Sequence, residues 1–307
     1  MDEFALIRRY FDRAELGDGT IIGIGDDGAV LQPATGMQQV SVIDTLVEGV
    51  HFPEHFNPAD LGYRVVAVNL SDIAAMGATP RWMTLALSIP SVDEDWLQAF
   101  SEGLLAAAAE YNLALVGGDT TAAPQVVATV QITGEIAAGS AILRSGAQPG
   151  DTIYLTGTVG DAAAGLQGLL DGKPKQKLID RFARPSPRVR YGQALVGCAN
   201  SAIDLSDGFY GDLKKLLNAS GVGADIDLGK LPISDALQDA FDIDEQRRFA
   251  LTGGDDYELC FTAAGAVPDP GVMPLTAIGE VTRGTDIICR LDGRVVPIED
   301  SGYRHFA

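Results

Sequence analysis

The sequence predicts a mixed two-domain protein, with an α/β N-terminal half and an α+β C-terminal half. Helical and strand-like patterns alternate over the first half of the chain. A polar, turn-rich segment at 145–151 then interrupts the apolar periodicity, and a new series of elements follows it. The 307 residues also suit two domains of roughly 150 residues each. We therefore predict an N-terminal domain over residues 1–147 and a C-terminal domain over residues 148–307.

The helices of the first half have recognisable start signals. An amphipathic first helix is predicted to end before residue 17. Asn57 and Pro58 suit the N-cap and first position of a second helix that ends near residue 76. The pattern Ser91-x-x-Glu94 is a capping box and predicts a third helix. Strands are predicted at 29–33, 40–43, 83–89, 113–116 and 126–136.

The second half combines strands and helices in a less regular order. A helix of small residues is predicted after Gly160, another from Ser186-Pro187, and a third over 207–220. Apolar, β-branched runs predict the strands 152–156, 224–228, 258–262, 275–281 and 286–290.

Composition excludes several classes of protein. Hydrophobic residues make up 46% and charged residues 21%, so a disordered chain is excluded, and no apolar run approaches the roughly 20 residues of a membrane helix. The net charge of −20 opposes binding to nucleic acid or to anionic membranes. Three scattered cysteines predict neither a disulfide framework nor a thiolate zinc site. The acidic start, Met1-Asp2-Glu3, does not resemble a signal peptide, so we expect a cytoplasmic protein.

Residues 23–28 match the pattern G-x-G-x-x-G, but we reject a dinucleotide site. That fingerprint needs a helix immediately after it, whereas residues 29–33 are strand-like and end at Pro33. Asp26 and Asp27 would repel a bare phosphate, but a divalent cation held by these carboxylates would attract one. The alternative is an acidic surface turn.

Further aspartates follow strand-like or glycine-rich segments. Asp44 closes the run 40–43, where a carboxylate either binds a metal or starts a turn, and Asp119 follows 113–116 and two glycines. Asp72 lies in the apolar half of the second helix, three residues after Asn69, where a buried carboxylate must be paired, protonated or bound to a metal. A salt bridge is the alternative for Asp72.

The second half repeats this arrangement at 202–208 and 253–258. Asp204 and Asp207 stand before a helix, where Asp207 alternatively serves as its N-cap, and Asp255 precedes a strand. Five such sites share one pattern, and oxygen ligands favour a hard cation such as Mg²⁺ together with phosphates. The chain has no H-E-x-x-H or G-x-S-x-G motif, and the run from Gly168 to Lys173 is too short for a Walker A loop.

Together these segments resemble the bacterial thiamine-monophosphate kinases, a family with the aminoimidazole ribonucleotide synthetase-like fold. The resemblance extends over nearly the whole chain. The segments that carry it are 23–27, 44–47, 51–52, 69–77, 117–120, 144–147, 203–208, 254–259 and 302–306.

The resemblance implies an N-terminal α/β domain that binds ATP and Mg²⁺ and dimerises through its sheet, and a C-terminal α+β domain. It also implies the transfer of the γ-phosphoryl group of ATP to thiamine monophosphate, giving thiamine diphosphate and ADP. Because the acceptor phosphate is already anionic, we expect direct in-line transfer in which several Mg²⁺ ions relieve charge repulsion, without a phosphoenzyme.

The resemblance also implies roles for individual residues. The implied Mg²⁺ ligands are the carboxylates of Asp27, Asp44, Asp72, Asp119, Asp204 and Asp207, with the backbone carbonyls of Val42 and Ile43. The implied ATP contacts are Gly118, Asp119, Arg144 and Ser206. The implied contacts of the thiamine moiety are His51, Asp255 and Tyr303, and the implied catalytic residues are Asp44, Asp119 and Arg144.

Two positions depart from the family pattern. Val42-Ile43 replaces a common Ser-Thr pair, so these positions offer a metal only backbone carbonyls. Asp255 replaces a frequent glutamate and is one methylene shorter. For Arg144 the alternative is a surface arginine beside the linker, and for Tyr303 a packed C-terminal aromatic residue. The alternative functions are another ATP-dependent enzyme of the superfamily, or a non-catalytic protein that binds a nucleotide or metal.

Overall fold

The computed structural model describes residues 3–12, 17–25 and 27–298. Contacts between Cα atoms divide the chain into two compact units, one comprising residues 1–73 and 78–139 and the other residues 74–77 and 140–307. The mixed α/β class predicted from the sequence is confirmed. Among the described residues, no helix is long and apolar enough to cross a membrane.

The first unit is built around a four-stranded sheet. Its elements are α1 (Glu3–Tyr10), β1 (Thr20–Ile22), β2 (Val30–Leu31), β3 (Met37–Val47), α2 (Pro58–Ala75), β4 (Thr79–Ile89), α3 (Glu94–Glu110), β5 (Ala114–Ala122) and β6 (Val127–Ala137). The strand order is β3-β6-β4-β5, so β3 and β5 are the two edges, and β1 and β2 form a separate hairpin. All pairs in the larger sheet are antiparallel except β4 with β5.

The two faces of this sheet differ in polarity, as expected when successive side chains of a strand point to opposite faces. One face is apolar and buried, and Ile73 of α2 lies against Gly134 of β6 on this side. The other face is polar over much of its area, with the pairs Thr45–Thr129 at 2.9 Å and Ser88–Thr121 at 2.8 Å between hydroxyl oxygens.

Side-chain caps fix the starts of the two long helices. Asn57 Oδ1 accepts hydrogen bonds from the backbone N–H groups of Ala59 and Asp60, at 2.9 and 3.1 Å, as its sequence position predicted. The predicted capping box at Ser91 is wrong. Asp93 caps α3 instead, because its carboxylate is directly adjacent to the first turn and accepts from Asp95 and Trp96 N–H.

The second unit has a seven-stranded sheet with helices. Its strands are β7 (Thr152–Thr156), β8 (Ser201–Asp204), β9 (Gly223–Asp227), β10 (Leu259–Ala263), β11 (Leu275–Thr282), β12 (Ile287–Leu291) and β13 (Arg294–Val295). Its helices are α4 (Asp161–Leu170), α5 (Gln176–Ala183), α6 (Val189–Leu195), α7 (Phe209–Ser220), α8 (Asp235–Gln238) and α9 (Ile243–Thr252). The strand order is β13-β12-β9-β11-β7-β10-β8.

The core of this unit joins the central strands to α7. Ile203, Ile226 and Ile278 of the sheet belong to one buried cluster with Phe209 and Leu213 of α7. The sequence analysis did not identify α5, α8 or α9. Helix α5 has a detectable signal, because Leu178 and Phe182 are four residues apart and both are buried.

Candidate active site

A cavity of about 650 Å³ lies beside the edge strand β5 of the first unit. Its wall is formed by α1, by residues 23–29 and by the middle of β5, and Asp27, Gly118 and Asp119 all line it. The structure therefore brings together two aspartates that are 92 positions apart in the sequence. A volume of this size is within the usual range of ligand sites.

The backbone of β5 passes very close to β4 at Gly118. A Cβ atom at this position would lie 2.0 Å from the carbonyl oxygen of Leu85, so only glycine fits without moving a strand. At the neighbouring Gly117 the nearest atom would be 3.7 Å away, which is ordinary contact. The absence of a side chain at Gly118 thus lets β5 pair closely with β4, and Gly118 also lines the cavity.

The loop that carries Asp27 leads into a strand, not a helix. Gly25 has φ +117°, a conformation that favours glycine, and the chain enters β2 at Val30. The rejection of a dinucleotide fingerprint is therefore consistent with the observed backbone. Asp26 lies outside the described residues.

Asp44 lies inside β3, at the opposite edge of the sheet from Asp119. Strand β3 continues to Val47, so the expectation that Asp44 ends a strand is wrong, and the same holds for Asp119 within β5. Both strands continue past their aspartates because each stays paired with its neighbour, β3 with β6 as far as Val47 and β5 with β4 as far as Ala122. Val42 is on the same face as Asp44, whereas Ile43 is on the other face and is 64% exposed.

Asp72 is only partly buried on α2. The expectation of a deeply buried carboxylate at this position is therefore wrong. The adjacent buried polar group is Asn69, which is 0% exposed and whose Nδ2 donates to the Val65 carbonyl at 3.0 Å. The apolar sequence around Asp72 reflects burial of the neighbouring faces of the helix.

His51 is held in the turn that follows β3. Its Nδ1 accepts a hydrogen bond from Val47 N–H at 3.1 Å, and the backbone N–H of His51 donates to the Val47 carbonyl at 2.9 Å. Because Nδ1 acts as the acceptor, the neutral imidazole carries its proton on Nε2. Nε2 is thus the ring atom able to donate a hydrogen bond to a ligand.

In the second unit, pairing of β8 with β10 brings the two aspartate motifs side by side. Asp204 is in register with Leu259, and beyond it the Ser206 carbonyl accepts from Asp255 N–H at 2.9 Å. Asp255 has φ +72°, a left-handed conformation that is unusual for a residue with a side chain. The Tyr257 hydroxyl donates to Asp255 Oδ1 at 3.2 Å.

Asp207 forms an ion pair. Lys215 Nζ lies 2.5 Å from Asp207 and 2.7 Å from Asp212, and Asp207 N–H donates to Asp212 at 2.9 Å. Burial lowers the pKa of Lys215, but its hydrogen bonds to the two carboxylates outweigh burial and raise it overall. Asp207 is not the N-cap of α7, because the helix starts one residue later, after Gly208.

Arg144 lies at the other end of α7 from Asp207. Its carbonyl accepts from the Ser220 hydroxyl at 3.1 Å, and the residue is exposed. Since α7 has 12 residues, its two ends are separated by about 18 Å. The second unit therefore does not bring Arg144 next to Ser206.

Sequence reasoning missed a buried ionic network beside Asp255. Glu258 is 0% exposed, and its carboxylate accepts from Thr156, from Arg181 at 2.8 Å and from two nitrogens of Arg188. Asp256 accepts twice from Gly160 N–H, at 2.8 and 3.0 Å, and burial raises its pKa well above the ordinary value. The alternation of acidic residues in Asp256-Tyr257-Glu258 was its only signal in the sequence.

The oxygen donors of the cavity suit a hard cation, although no complete ligand set is present. Within residues 3–12, 17–25 and 27–298, no three His, Cys, Asp or Glu side chains are grouped closely enough to hold a metal ion. Mg²⁺ commonly uses only one or two carboxylates together with substrate phosphates and water, and Asp27 and Asp119 meet that requirement. Tyr303 lies outside the described residues.

Comparison with known proteins identifies the family. Models of the AIR synthase related protein match residues 25–136 with the N-terminal domain and 148–292 with the C-terminal domain. The thiamine-monophosphate kinase of Escherichia coli (strain K12) is 48% identical, over 99% of this chain and 98% of that protein.

Two solved structures are also similar to this chain. The thiamine-monophosphate kinase of Stenotrophomonas maltophilia K279a has a TM-score of 0.85 and 42% identity, covering 96% of this chain and 98% of that chain. A structure described as AaThiL complexed with AMPPCP and TMP has a TM-score of 0.81 and 32% identity, covering 92% of each chain. The chain therefore belongs to the thiamine-monophosphate kinase family and has the two-domain fold of the AIR synthase related proteins.

Proposed function

We propose that this chain transfers the γ-phosphoryl group of ATP to thiamine monophosphate and releases thiamine diphosphate and ADP. The observation that carries this proposal is the cavity beside β5, in which Asp27, Gly118 and Asp119, from two separate family motifs, line one space. The full-length similarity to thiamine-monophosphate kinases supports the same reaction.

The main physical task at this site is to bring two anions together. The acceptor phosphate is already a nucleophile at neutral pH, so the chain needs no strong general base. Asp27 and Asp119 would hold Mg²⁺, which when bound neutralises charge on the phosphates and orients them. The lack of a Cβ at Gly118 lets β5 lie close to β4, and the Gly118 backbone lines the cavity in which the nucleotide phosphates would bind.

The remaining site residues belong to the proposal as family-derived assignments. We assign Asp44, Asp72, Asp204, Asp207 and the carbonyls of Val42 and Ile43 to further Mg²⁺ ions. Arg144 and Ser206 are assigned to ATP, and His51, Asp255 and Tyr303 to the thiamine moiety. For Asp207 this role requires the carboxylate to exchange its contact with Lys215 for a metal.

A homodimer is part of the proposal, because one chain does not bring its aspartates together. We take the polar face of the four-stranded sheet, on which Ile43 is exposed, as the interface of this proposed dimer. A two-fold axis parallel to the strands would place the β3 edge of one copy opposite the β5 edge of the other. Asp119 lies on this interface face, whereas Asp44 leaves β3 on the opposite face, so a site shared by two copies requires Asp44 to reach it around the β3 edge.

The decisive experiment is an assay with ATP, Mg²⁺ and thiamine monophosphate, with product separation and thiamine as a control acceptor. We expect thiamine diphosphate from the monophosphate only, loss of turnover in excess EDTA, and recovery on addition of Mg²⁺. ATP binding without turnover would favour the non-catalytic alternative. Turnover that persists in chelator would contradict the metal assignments.

The proposal also includes the domain boundary between residues 147 and 148 and a cytoplasmic location.

A further inference from the structure

The turn that carries Arg144 is bound to the end of α7 by a single hydroxyl group. Ser220 is the last residue of α7, and Gly221 after it has φ +68°. The Ser220 hydroxyl donates to the Arg144 carbonyl at 3.1 Å. It also accepts from the backbone N–H groups of Gly146 and Ala147, at 3.2 and 3.1 Å. A serine hydroxyl has one proton and two lone pairs, so these bonds use its full capacity.

Further contacts hold the chain on both sides of this turn. Before it, the Leu143 carbonyl accepts from Ala202 N–H of β8 at 3.0 Å. Within it, a Cβ atom on Gly146 would lie 2.4 Å from the Asn200 carbonyl oxygen, so the backbone lies directly against the start of β8. After it, both carboxylate oxygens of the buried Asp151 accept from Asn200 Nδ2 at 2.9 Å. The flanks are therefore fixed, and Ser220 supplies the contacts inside the turn itself.

Arg144 is an exposed residue on this fixed turn. A guanidinium binds phosphate oxygens through paired N–H donors in one plane, so the direction of the side chain matters for such a contact. That direction depends on the backbone that carries the side chain, and a misplacement of about 1 Å costs on the order of 100-fold in rate. Fixing the turn therefore serves a phosphate contact, whereas an ordinary surface arginine gains nothing from it.

We propose that Ser220 is a positioning residue, which fixes the Arg144 turn so that the guanidinium meets the phosphates of ATP. This inference rests on the proposed function for the ligand of Arg144. It adds a residue that lies 76 positions away in the sequence and outside the segments that carry the family resemblance. In this role Ser220 acts through the backbone of residues 144–147 and does not contact the nucleotide.

Two exchanges at Ser220 separate the hydroxyl from the rest of the side chain. S220A removes all the hydrogen bonds to the turn, and S220T keeps a hydroxyl on the same Cβ. N218A, at an exposed position in the same last turn of α7, is the matched control. The probe is ATP with Mg²⁺, titrated by calorimetry in the absence of thiamine monophosphate. We expect Kd to rise at least about tenfold in S220A, and less than about twofold in S220T and N218A.

A double-mutant cycle with R144Q distinguishes positioning of Arg144 from a general effect on the fold. If Ser220 acts through Arg144, S220A should raise the Kd for ATP no further in the R144Q background. A merely structural role would give two losses that multiply, because the two sites would then act independently. The same cycle on kcat/KM for ATP should show the same lack of a further loss.

Trypsin gives a measurement that needs neither turnover nor nucleotide. It cleaves after arginine, and Arg144 is exposed, so cleavage of the Arg144–Ser145 bond reports how readily this turn opens. We expect S220A to be cleaved there at least about fivefold faster than the wild type and N218A, with cleavage elsewhere unchanged. If S220A is cleaved rapidly at every site because it does not fold, S220C replaces it in all measurements, since a thiol is only a weak hydrogen-bonding group.

The outcomes separate this inference from the proposed function. Turnover of thiamine monophosphate, combined with an ATP affinity of S220A equal to that of N218A or with losses that multiply in the cycle, would overturn the inference and leave the kinase activity standing. Normal ATP affinity in R144Q, a loss in S220T as large as in S220A, or unchanged cleavage at Arg144 would also overturn the inference. Losses of ATP affinity that do not add, without any turnover by the wild type, would support the positioning of Arg144 and refute the kinase activity.

Discussion

Asp44 on β3 and Asp119 on β5 lie on the two edge strands of one sheet, and their positions along the strands differ by one residue. Asp44 is in register with Val130, Leu85 and Gly118, the residue before Asp119. Three strand spacings separate the edges by about 14 Å, and adjacent positions of a strand point to opposite faces. One chain therefore cannot place both carboxylates on the same ion, although the sequence suggested that they converge.

This separation predicts complementation between inactive variants. D44N and D119N should each be inactive alone, because each removes a carboxylate from both sites of a homodimer. If the site combines Asp44 of one copy with Asp119 of the other, each mixed dimer has one intact site. Mixing equal amounts after reversible dissociation should then restore about one quarter of wild-type activity. A mixture as inactive as its components would refute the two-chain site.

The shared cavity predicts similar effects for Asp27 and Asp119. D27N and D119N both alter carboxylates that line this cavity. If these carboxylates hold Mg²⁺ as proposed, each variant should lower kcat/KM by about 100-fold or more. The loss should be partly relieved by raising the Mg²⁺ concentration. D18N, at an exposed position of the first unit, serves as the control and should retain activity. Unchanged dependence on Mg²⁺ in both cavity variants would contradict their role.

The close approach of β5 to β4 predicts opposite results for two neighbouring glycines. G118A should destabilise the fold by about 1–3 kcal/mol, because its Cβ would meet the Leu85 carbonyl at 2.0 Å. G117A should be tolerated, since its nearest contact would be 3.7 Å away. Urea denaturation of both variants measures the difference. Equal stability would show that the strands adjust without cost.

The buried ionic network predicts a large effect of removing one charge. E258Q should reduce the free energy of unfolding by about 3 kcal/mol, because Arg181 and Arg188 would lose their shared carboxylate. E245Q, on the exposed side of α9, should change it little. The same measurement on both variants, by urea denaturation, checks the prediction. A loss in E258Q no larger than in E245Q would contradict it.

Asp256 predicts a pH-dependent contribution to stability. Burial raises its pKa in the folded chain well above the ordinary aspartate value of 3.8. The stabilisation associated with the protonated form is thus complete below that value and is lost as the pH rises through the folded pKa. The stability of D256N relative to the wild type should accordingly increase from about pH 4 upward. Chemical denaturation of both proteins across this range measures it, and a flat difference would contradict the prediction.

The sequence by itself determined the elements whose signals are local. Asn57 fixed the start of α2, because a side-chain acceptor next to free backbone N–H groups acts within one turn. The run 152–156 has the same bounds as β7. The ordered aspartate and glycine motifs also determined the family, since they depend on residue type and spacing alone.

Only the tertiary structure decided which of these residues meet. Asp27 and Asp119 line one cavity, strand order separates Asp119 from Asp44, and β8–β10 pairing joins Ser206 to Asp255. Such neighbours depend on pairing between distant segments, which short-range patterns do not encode. The ends of β3 and β5 were misjudged for the same reason: whether a strand ends at a polar residue or continues past it depends on the neighbouring strand with which it pairs.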